Sequence, residues 1–147
     1  MGALLGEVLQ TFEHQVKEGI LVIQQLPDFP ETFCDRLKII QVWQNLISNA
    51  IKYRGSLKTI EVQLGWKEKE NVYEFWVQDN GPGIPKDQLV RIFQPFVRLT
   101  DEVAGTGIGL TTVQRIIQAH GGKIYVDSDL NCGAKFIFEL PIVDPKI

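Results

Sequence analysis

Two periodicities divide this chain. Over residues 4–16 the apolar side chains Leu5, Val8, Leu9, Phe12 and Val16 recur every three or four positions, the spacing of one helix face. Residues 20–26 form an apolar, β-branched run closed by Pro27-Asp28-Phe29-Pro30, which reads as a strand. Asp35 is placed to cap a second helix running to about Tyr53, with Ile39, Trp43, Leu46, Ile47 and Ala50 as its buried stripe. Ile60, Val62, Leu64 and Trp66 then alternate with Glu61, Gln63, Gly65 and Lys67, the signature of a half-buried strand. A charged turn over 67–71 leads into another strand, 72–78, so the pair predicts an antiparallel hairpin. A short helix is expected over 87–93 and must end before Pro95. A longer one opens at the glycines of 105–109, turns Leu110, Val113, Ile116 and Ile117 inward and stops at Gly121-Gly122. Residues 123–127 and 135–140 are two more alternating strands, joined by a loop over 128–133.

Hairpin-connected strands with helices between them imply an α+β fold, a two-layer α/β sandwich. Its sheet is mixed, mostly antiparallel, of about five strands, with helices covering one face. Residues 1–18 read as a helix leading into the domain, 19–142 as the domain itself, and 143–147 as a disordered tail.

The chain has 147 residues, enough for one domain with a real hydrophobic core. A net charge of −3 argues against a nucleic-acid-binding surface. Cys34 and Cys132 have neither metal-ligand nor redox spacing, and no run is long or apolar enough to insert in a membrane. A reducing, cytoplasmic setting is expected.

Candidate chemistry concentrates in three places. Tyr73, Phe75, Val77 and Asp79 share one side of their strand, so the carboxylate points where large apolar neighbours point. A buried carboxylate needs partners, and Gly81 and Gly83 behind it allow another group to approach closely. That suits a receptor for a ligand N–H donor; the alternative is an Asp that caps its own Asp-Asn-Gly turn. Gln41, Asn45, Ser48, Asn49 and Lys52 line one helix face, able to address a cation and an anion together or merely to be solvated. Gly105-Thr106-Gly107-Ile108-Gly109 opens a helix, where free backbone N–H groups and the helix dipole favour an anion. Its spacing is neither the dinucleotide fingerprint nor the P-loop. Of the two histidines, His14 reads as a solvated surface residue and His120 as a C-terminal helix cap.

Four motifs in order make the chain recognisable. Gln44-Asn45-Leu46-Ile47-Ser48-Asn49-Ala50-Ile51-Lys52-Tyr53 is similar to an N box, and Asp79-Asn80-Gly81-Pro82-Gly83-Ile84 to a first glycine box. Arg91-Ile92-Phe93-Gln94-Pro95-Phe96 is similar to an F box, and Gly105-Thr106-Gly107-Ile108-Gly109-Leu110 to a second glycine box. From about Ile20 to Pro141 the sequence resembles the ATP-binding catalytic domain of sensor histidine kinases, a Bergerat-type fold shared with gyrase, Hsp90 and MutL. The wording around Asn49 and Gly107 is similar to phytochrome-type kinases.

The resemblance implies ATP and Mg²⁺ as cofactors. Asp79 would accept from the adenine amino group, Tyr53 would lie against the base, and Gly81, Gly83, Ile84 and Phe93 would frame it. Asn49 would ligate the metal, Asn45 would support the metal and its waters, and Lys52 would contact phosphate. Gly105, Thr106, Gly107, Gly109 and Leu110 would bring backbone N–H groups to the phosphates. Residues 100–104 would form a short lid of limited gating, anchored by Phe93 and Phe96. One departure stands out: the family commonly has threonine after Gly133, and here it is Ala134.

Asn45 bears on the reaction. Hydrolysing relatives, and anti-sigma-like serine kinases, typically place a glutamate there as general base; an amide has no useful basicity. A histidine nucleophile needs none. The implied activity is therefore donation of the γ-phosphoryl group to histidine on a separate dimerisation domain, with a response regulator as indirect partner. The alternatives are an anti-sigma-like serine kinase and a non-catalytic nucleotide-binding module. Self-labelling is not expected: His120, at the far end of the helix whose start would bind phosphate, is about 13 residues and roughly 20 Å from that start.

Overall fold

The computed structural model describes residues 1–89, 91–94, 109–128 and 133–143. The expected lid, Phe96, Gly105, Thr106 and Gly107, most of the loop over 128–133, and the tail beyond Val143 lie outside the described residues.

The chain builds α1 (Gly2–Gln10), α2 (Glu13–Lys17), β1 (Leu21–Gln25), α3 (Arg36–Lys52), β2 (Ile60–Lys69), β3 (Val72–Asp79), α4 (Gly109–Ala119), β4 (Ile124–Ser128) and β5 (Ala134–Pro141). The five strands form one sheet in the order β1-β2-β3-β5-β4. Only β1 and β2 run parallel; the other pairs are antiparallel. The parallel pair follows from connectivity, because α3 crosses over between those strands rather than a tight turn joining them.

Asp35 caps α3 as expected, its Oδ1 accepting from the Lys38 N–H at 3.2 Å. The predicted stripe of α3 is buried, with Val42 added to it. This helix packs on β2 and β3, α4 packs on α3 and β5, and α1 packs on α3. Between helices and sheet, Trp43 meets Phe138 edge-on at 5.0 Å and Phe75 at 6.1 Å. Leu4, Leu5, Val8 and Phe12 join that core, so the first helix is packed on the domain.

Two expected elements differ. The single helix over 4–16 is broken at Thr11, whose hydroxyl bonds the Val8 carbonyl at 2.6 Å and competes with the helix ladder. The short helix over 87–93 is instead a 3-10 turn, Lys86–Gln88, followed by further turns. Most backbone bonds there link residues three apart, including Gln88 N–H to Pro85 and Gln94 N–H to Arg91, so among the described residues no α-helical ladder forms.

α4 ends in a Schellman motif. The Gly122 N–H bonds the Ile117 carbonyl, the Gly121 N–H bonds that of Gln118, and Gly121 takes a φ of 78°. His120 is more than a cap for its own helix. Its Nε2 accepts from the Asp35 N–H at 3.0 Å while its Nδ1 lies 2.8 Å from the Ile116 carbonyl. That fixes a neutral ring with the proton on Nδ1, bridging the end of α4 to the start of α3.

The outer face of the sheet carries an unexpected group. Glu74 is buried although its register points away from the helices. Tyr125 donates to its Oε2 at 3.0 Å, and Lys67 and Lys69 lie at 3.5 and 3.4 Å. Burial pushes Glu74 up, but the Tyr125 hydroxyl and the two ammonium groups outweigh it and hold it below the usual range. One row along, the Trp76 indole lies flat over Gly65, where any Cβ would overlap it, with Lys135 Nζ 4.3 Å from the ring.

Candidate functional site

β3 and β5 are antiparallel, so the end of one meets the start of the other, and Asp79 comes beside Ala134. A cleft opens there against the C-terminal half of α3. Asn49, Ala50 and Tyr53 line it from α3, Gly83 and Ile84 from the glycine turn, and Leu110 from α4. Asp79, Ala134 and Phe136 form its sheet side, and Ile92 closes it. It encloses about 540 Å³ including the solvent of its open mouth. The lining is mainly apolar with few polar groups, the composition of a small-ligand site whose few polar groups fix orientation.

Asp79 is the chief of those polar groups. Its Oδ1 accepts from the Gly81 N–H at 2.9 Å and from the Ala134 N–H at 3.2 Å. The turn-capping reading holds, since Oδ1 accepts within the Asp-Asn-Gly turn, and no such bond engages Oδ2 among the described residues. Burial pushes the carboxyl above its ordinary range, and the two backbone N–H groups oppose that. Asn80 fixes the turn from outside, its Oδ1 accepting from the Glu61 N–H at 2.8 Å.

The sequence-expected residues are brought together unevenly. Asn49, Tyr53, Asp79, Gly83, Ile84 and Leu110 line the cleft. Gly81 serves it through Asp79 and has the Tyr53 carbonyl near its own backbone. Asn45 faces the start of α4, its Oδ1 3.5 Å from where a Cβ on Gly109 would sit. The N-box helix and the described end of the second glycine box thus meet. Lys52 is exposed on the last turn of α3 and does not line the cleft. Phe93 packs on the core from outside the cleft, and its carbonyl accepts from the Thr111 hydroxyl at 2.8 Å, tying α4 to this segment.

Sequence reasoning missed Ala50, Ile92 and Phe136 as cleft walls, and it missed Ser128. Ile92 had a signal, since it sits between Arg91 and Phe93 in a motif already singled out. Ser128 had none: its role runs through backbone groups of residues distant in sequence.

Residues 34–144 match the family of histidine kinase-, DNA gyrase B- and HSP90-like ATPases. The adaptive-response sensory kinase SasA of Nostoc sp. is 40% identical over 141 residues, covering 95% of this chain and 34% of SasA. The phytochrome-like protein Cph1 of Synechocystis sp. is 35% identical over 141 residues, covering 95% of this chain and 19% of Cph1. Likeness to Cph1 does not exceed likeness to SasA, so the phytochrome-type wording is not singled out. The chain spans about a third or less of either relative.

Among solved structures, the catalytic domain of histidine kinase ThkA superposes with a TM-score of 0.81 at 30% identity, over 96% of this chain and 91% of that one. ThkA in complex with the response regulator protein TrrA superposes at 0.78 and 27% identity, over 97% of this chain and 40% of that one. The chain belongs to the histidine kinase-, DNA gyrase B- and HSP90-like ATPases, and within them it is the ATP-binding catalytic domain of a histidine kinase.

Proposed function

We propose that this domain binds ATP with Mg²⁺ and donates the γ-phosphoryl group to a histidine on a separate dimerisation domain, in a two-component system acting in the cytoplasm. The observation that carries the reading is the joining of Asp79, Asn49 and the start of α4 around one cleft. Asp79 takes the adenine amino group on Oδ2, Tyr53 lies against the base, and the N-terminal end of α4 turns its positive dipole end to the phosphates. Lys52, exposed one turn beyond Asn49, supplies positive charge at the rim.

A magnesium ion fits the donor set. Asn49 would hold it through its side-chain oxygen and Asn45 would support its waters, the phosphates completing the shell. Among the described residues no group of three or more His, Cys, Asp or Glu side chains could hold a metal without them. When bound, the ion neutralises charge on the phosphate oxygens.

Asn45 sets the reaction type. It offers no base to take the proton of water or a serine hydroxyl, so the acceptor must be able to attack without first losing a proton, as the unprotonated nitrogen of a neutral imidazole can. Neither histidine of this chain is suited. Both ring nitrogens of His120 are engaged, and His14 pairs with Glu18 at 3.0 Å on α2. A response regulator would then receive the group in a second step; ThkA, a similar kinase, is known in complex with the response regulator protein TrrA.

The test is incubation with labelled ATP and Mg²⁺, alone and with a histidine-bearing dimerisation domain. The chain alone should stay unlabelled, and the added domain should carry an acid-labile, base-stable phosphate. Acid-stable label on serine, or stoichiometric labelling of His14, would overturn the assignment.

A further inference from the structure

Ser128 is the last residue of β4 and is paired with Ala134 of β5. It is buried, lies outside the cleft lining and belongs to none of the four motifs. Its hydroxyl accepts from the Ile84 N–H at 2.8 Å and donates to the Gly133 carbonyl at 2.8 Å. A serine hydroxyl has one proton to give, and here that proton and a lone pair are both used.

The two partners belong to the two segments that hold Asp79. Ile84 closes the glycine turn whose Gly81 N–H bonds Asp79 Oδ1. Gly133 precedes Ala134, whose N–H bonds the same oxygen. Gly133 also lies against the Asp79 main chain so closely that a Cβ there would overlap the Asp79 carbonyl oxygen. Its φ of 81° is the left-handed conformation glycine favours. A closed circuit results: Ser128 to Ile84, back along the turn to Gly81 and Asp79, across to Ala134 and Gly133, and back to Ser128. Its only side chains are two, the hydroxyl on one side and the carboxylate on the other.

Without the hydroxyl, a buried N–H and a buried carbonyl lose their partner together. Ile84 and Gly133 are both buried, so neither group reaches water unless the turn and the head of β5 move apart. That movement would pull on both donors to Oδ1 and change where Oδ2 is aimed. Asn49, Asn45 and Gly109 lie on helices outside the circuit.

We propose that Ser128 is a positioning residue for base recognition. It locks the glycine turn to β5 so that Asp79 presents its unused oxygen to the base, and it thereby sets the preference for adenine over guanine nucleotides. The proposal rests on the reading of the cleft as an ATP site.

Titrations with ATP, GTP and inorganic tripolyphosphate separate this from a structural role. Ser128→Ala should weaken ATP binding about tenfold, the worth of roughly one buried hydrogen bond. GTP and tripolyphosphate binding should change by less than about twofold, so the ATP-to-GTP ratio falls. Ser128→Thr, which keeps a hydroxyl, should restore the ratio. Ser128→Cys, similar in size but a poor hydrogen-bonding partner, should behave like Ser128→Ala and serves in its place if that variant does not fold. In the wild-type chain the Ile84 amide should be protected from hydrogen exchange. An unchanged ATP-to-GTP ratio alongside a lowered melting temperature, or an unprotected Ile84 amide, would overturn the proposal. If the wild-type chain binds tripolyphosphate but not ATP, the fault lies in the ATP reading itself.

Discussion

Replacing Asp79 with asparagine changes one oxygen to an amide group at nearly constant shape, and the structure dictates which oxygen is lost. Oδ1 receives two backbone N–H groups, at 2.9 and 3.2 Å. An amide turned the other way would set its NH₂ against both donors and forfeit two bonds, each worth about 1 kcal/mol. The carbonyl oxygen therefore stays on the Gly81 and Ala134 side, and the NH₂ takes the position of Oδ2. There it meets the adenine amino group, donor against donor. A hydrogen bond to a carboxylate is worth about 1.5–3 kcal/mol, so its loss should weaken ATP and ADP binding about tenfold to a hundredfold. Calorimetric titration measures this directly.

Stability should move the other way. Burial raises the Asp79 carboxyl above its ordinary range, so the native state binds this proton more readily than the unfolded chain does. The sign follows: with the folded value above the unfolded one, stability falls as pH rises through that window and the ionised form remains a burden at neutral pH. Asparagine carries no charge to bury. Asp79→Asn should therefore melt at the wild-type temperature or above it at pH 7, and that advantage should vanish in acid, where the wild-type carboxyl is protonated. Unaltered nucleotide affinity would refute the adenine role. A clear loss of stability at pH 7 would refute the account of the carboxyl's surroundings.

Other perturbations separate the site from its scaffold. Asn49→Ala should reduce the Mg²⁺-dependent part of ATP binding more than the metal-free part, read by titrations with and without the ion; intact Mg²⁺ sensitivity would place the metal elsewhere. Gly65→Ala puts a methyl group into the Trp76 indole and should cost about 1–3 kcal/mol in a denaturant melt, with red-shifted tryptophan emission and unchanged ATP affinity. Tyr125 is pushed from its ordinary 10.0 up to about 12 by burial and by Glu74. The native state thus holds this proton longer, so stability should fall as pH rises from 10.0 towards about 12. Melts across that range should show a shallower fall in Tyr125→Phe.

What could be read in the sequence was whatever depends on a residue's own side chain. The buried stripe of α3, its Asp35 cap and the hairpin leading to Asp79 all rest on local period and local chemistry, and each appears in the structure. The broken first helix could not be read this way, because Leu5, Val8, Phe12 and Val16 keep the same period across the break at Thr11. Glu74 misleads in the opposite sense. Alternation puts it on the solvent side, and only the sheet order, with β2 beside β3 and β4 one strand beyond across β5, supplies the lysines and tyrosine that cover it.

The site divides along the same line. Asp79, Asn49 and Tyr53 line the cleft and were visible in the motifs by their side chains, whereas Ala134 and Gly133 contribute a backbone N–H and a close approach. Alanine at position 134 removes the hydroxyl the resemblance leads one to expect, yet its N–H still bonds Asp79, so the departure spares the part of the contact that the main chain provides. The surroundings of Asp79 are thus built chiefly from main-chain groups ordered by strand pairing. Among the described residues no hydrogen bond engages Asp79 Oδ2, so under the proposed reading this half-buried carboxylate at the end of β3 keeps an oxygen for the base despite the desolvation that raises its pKa.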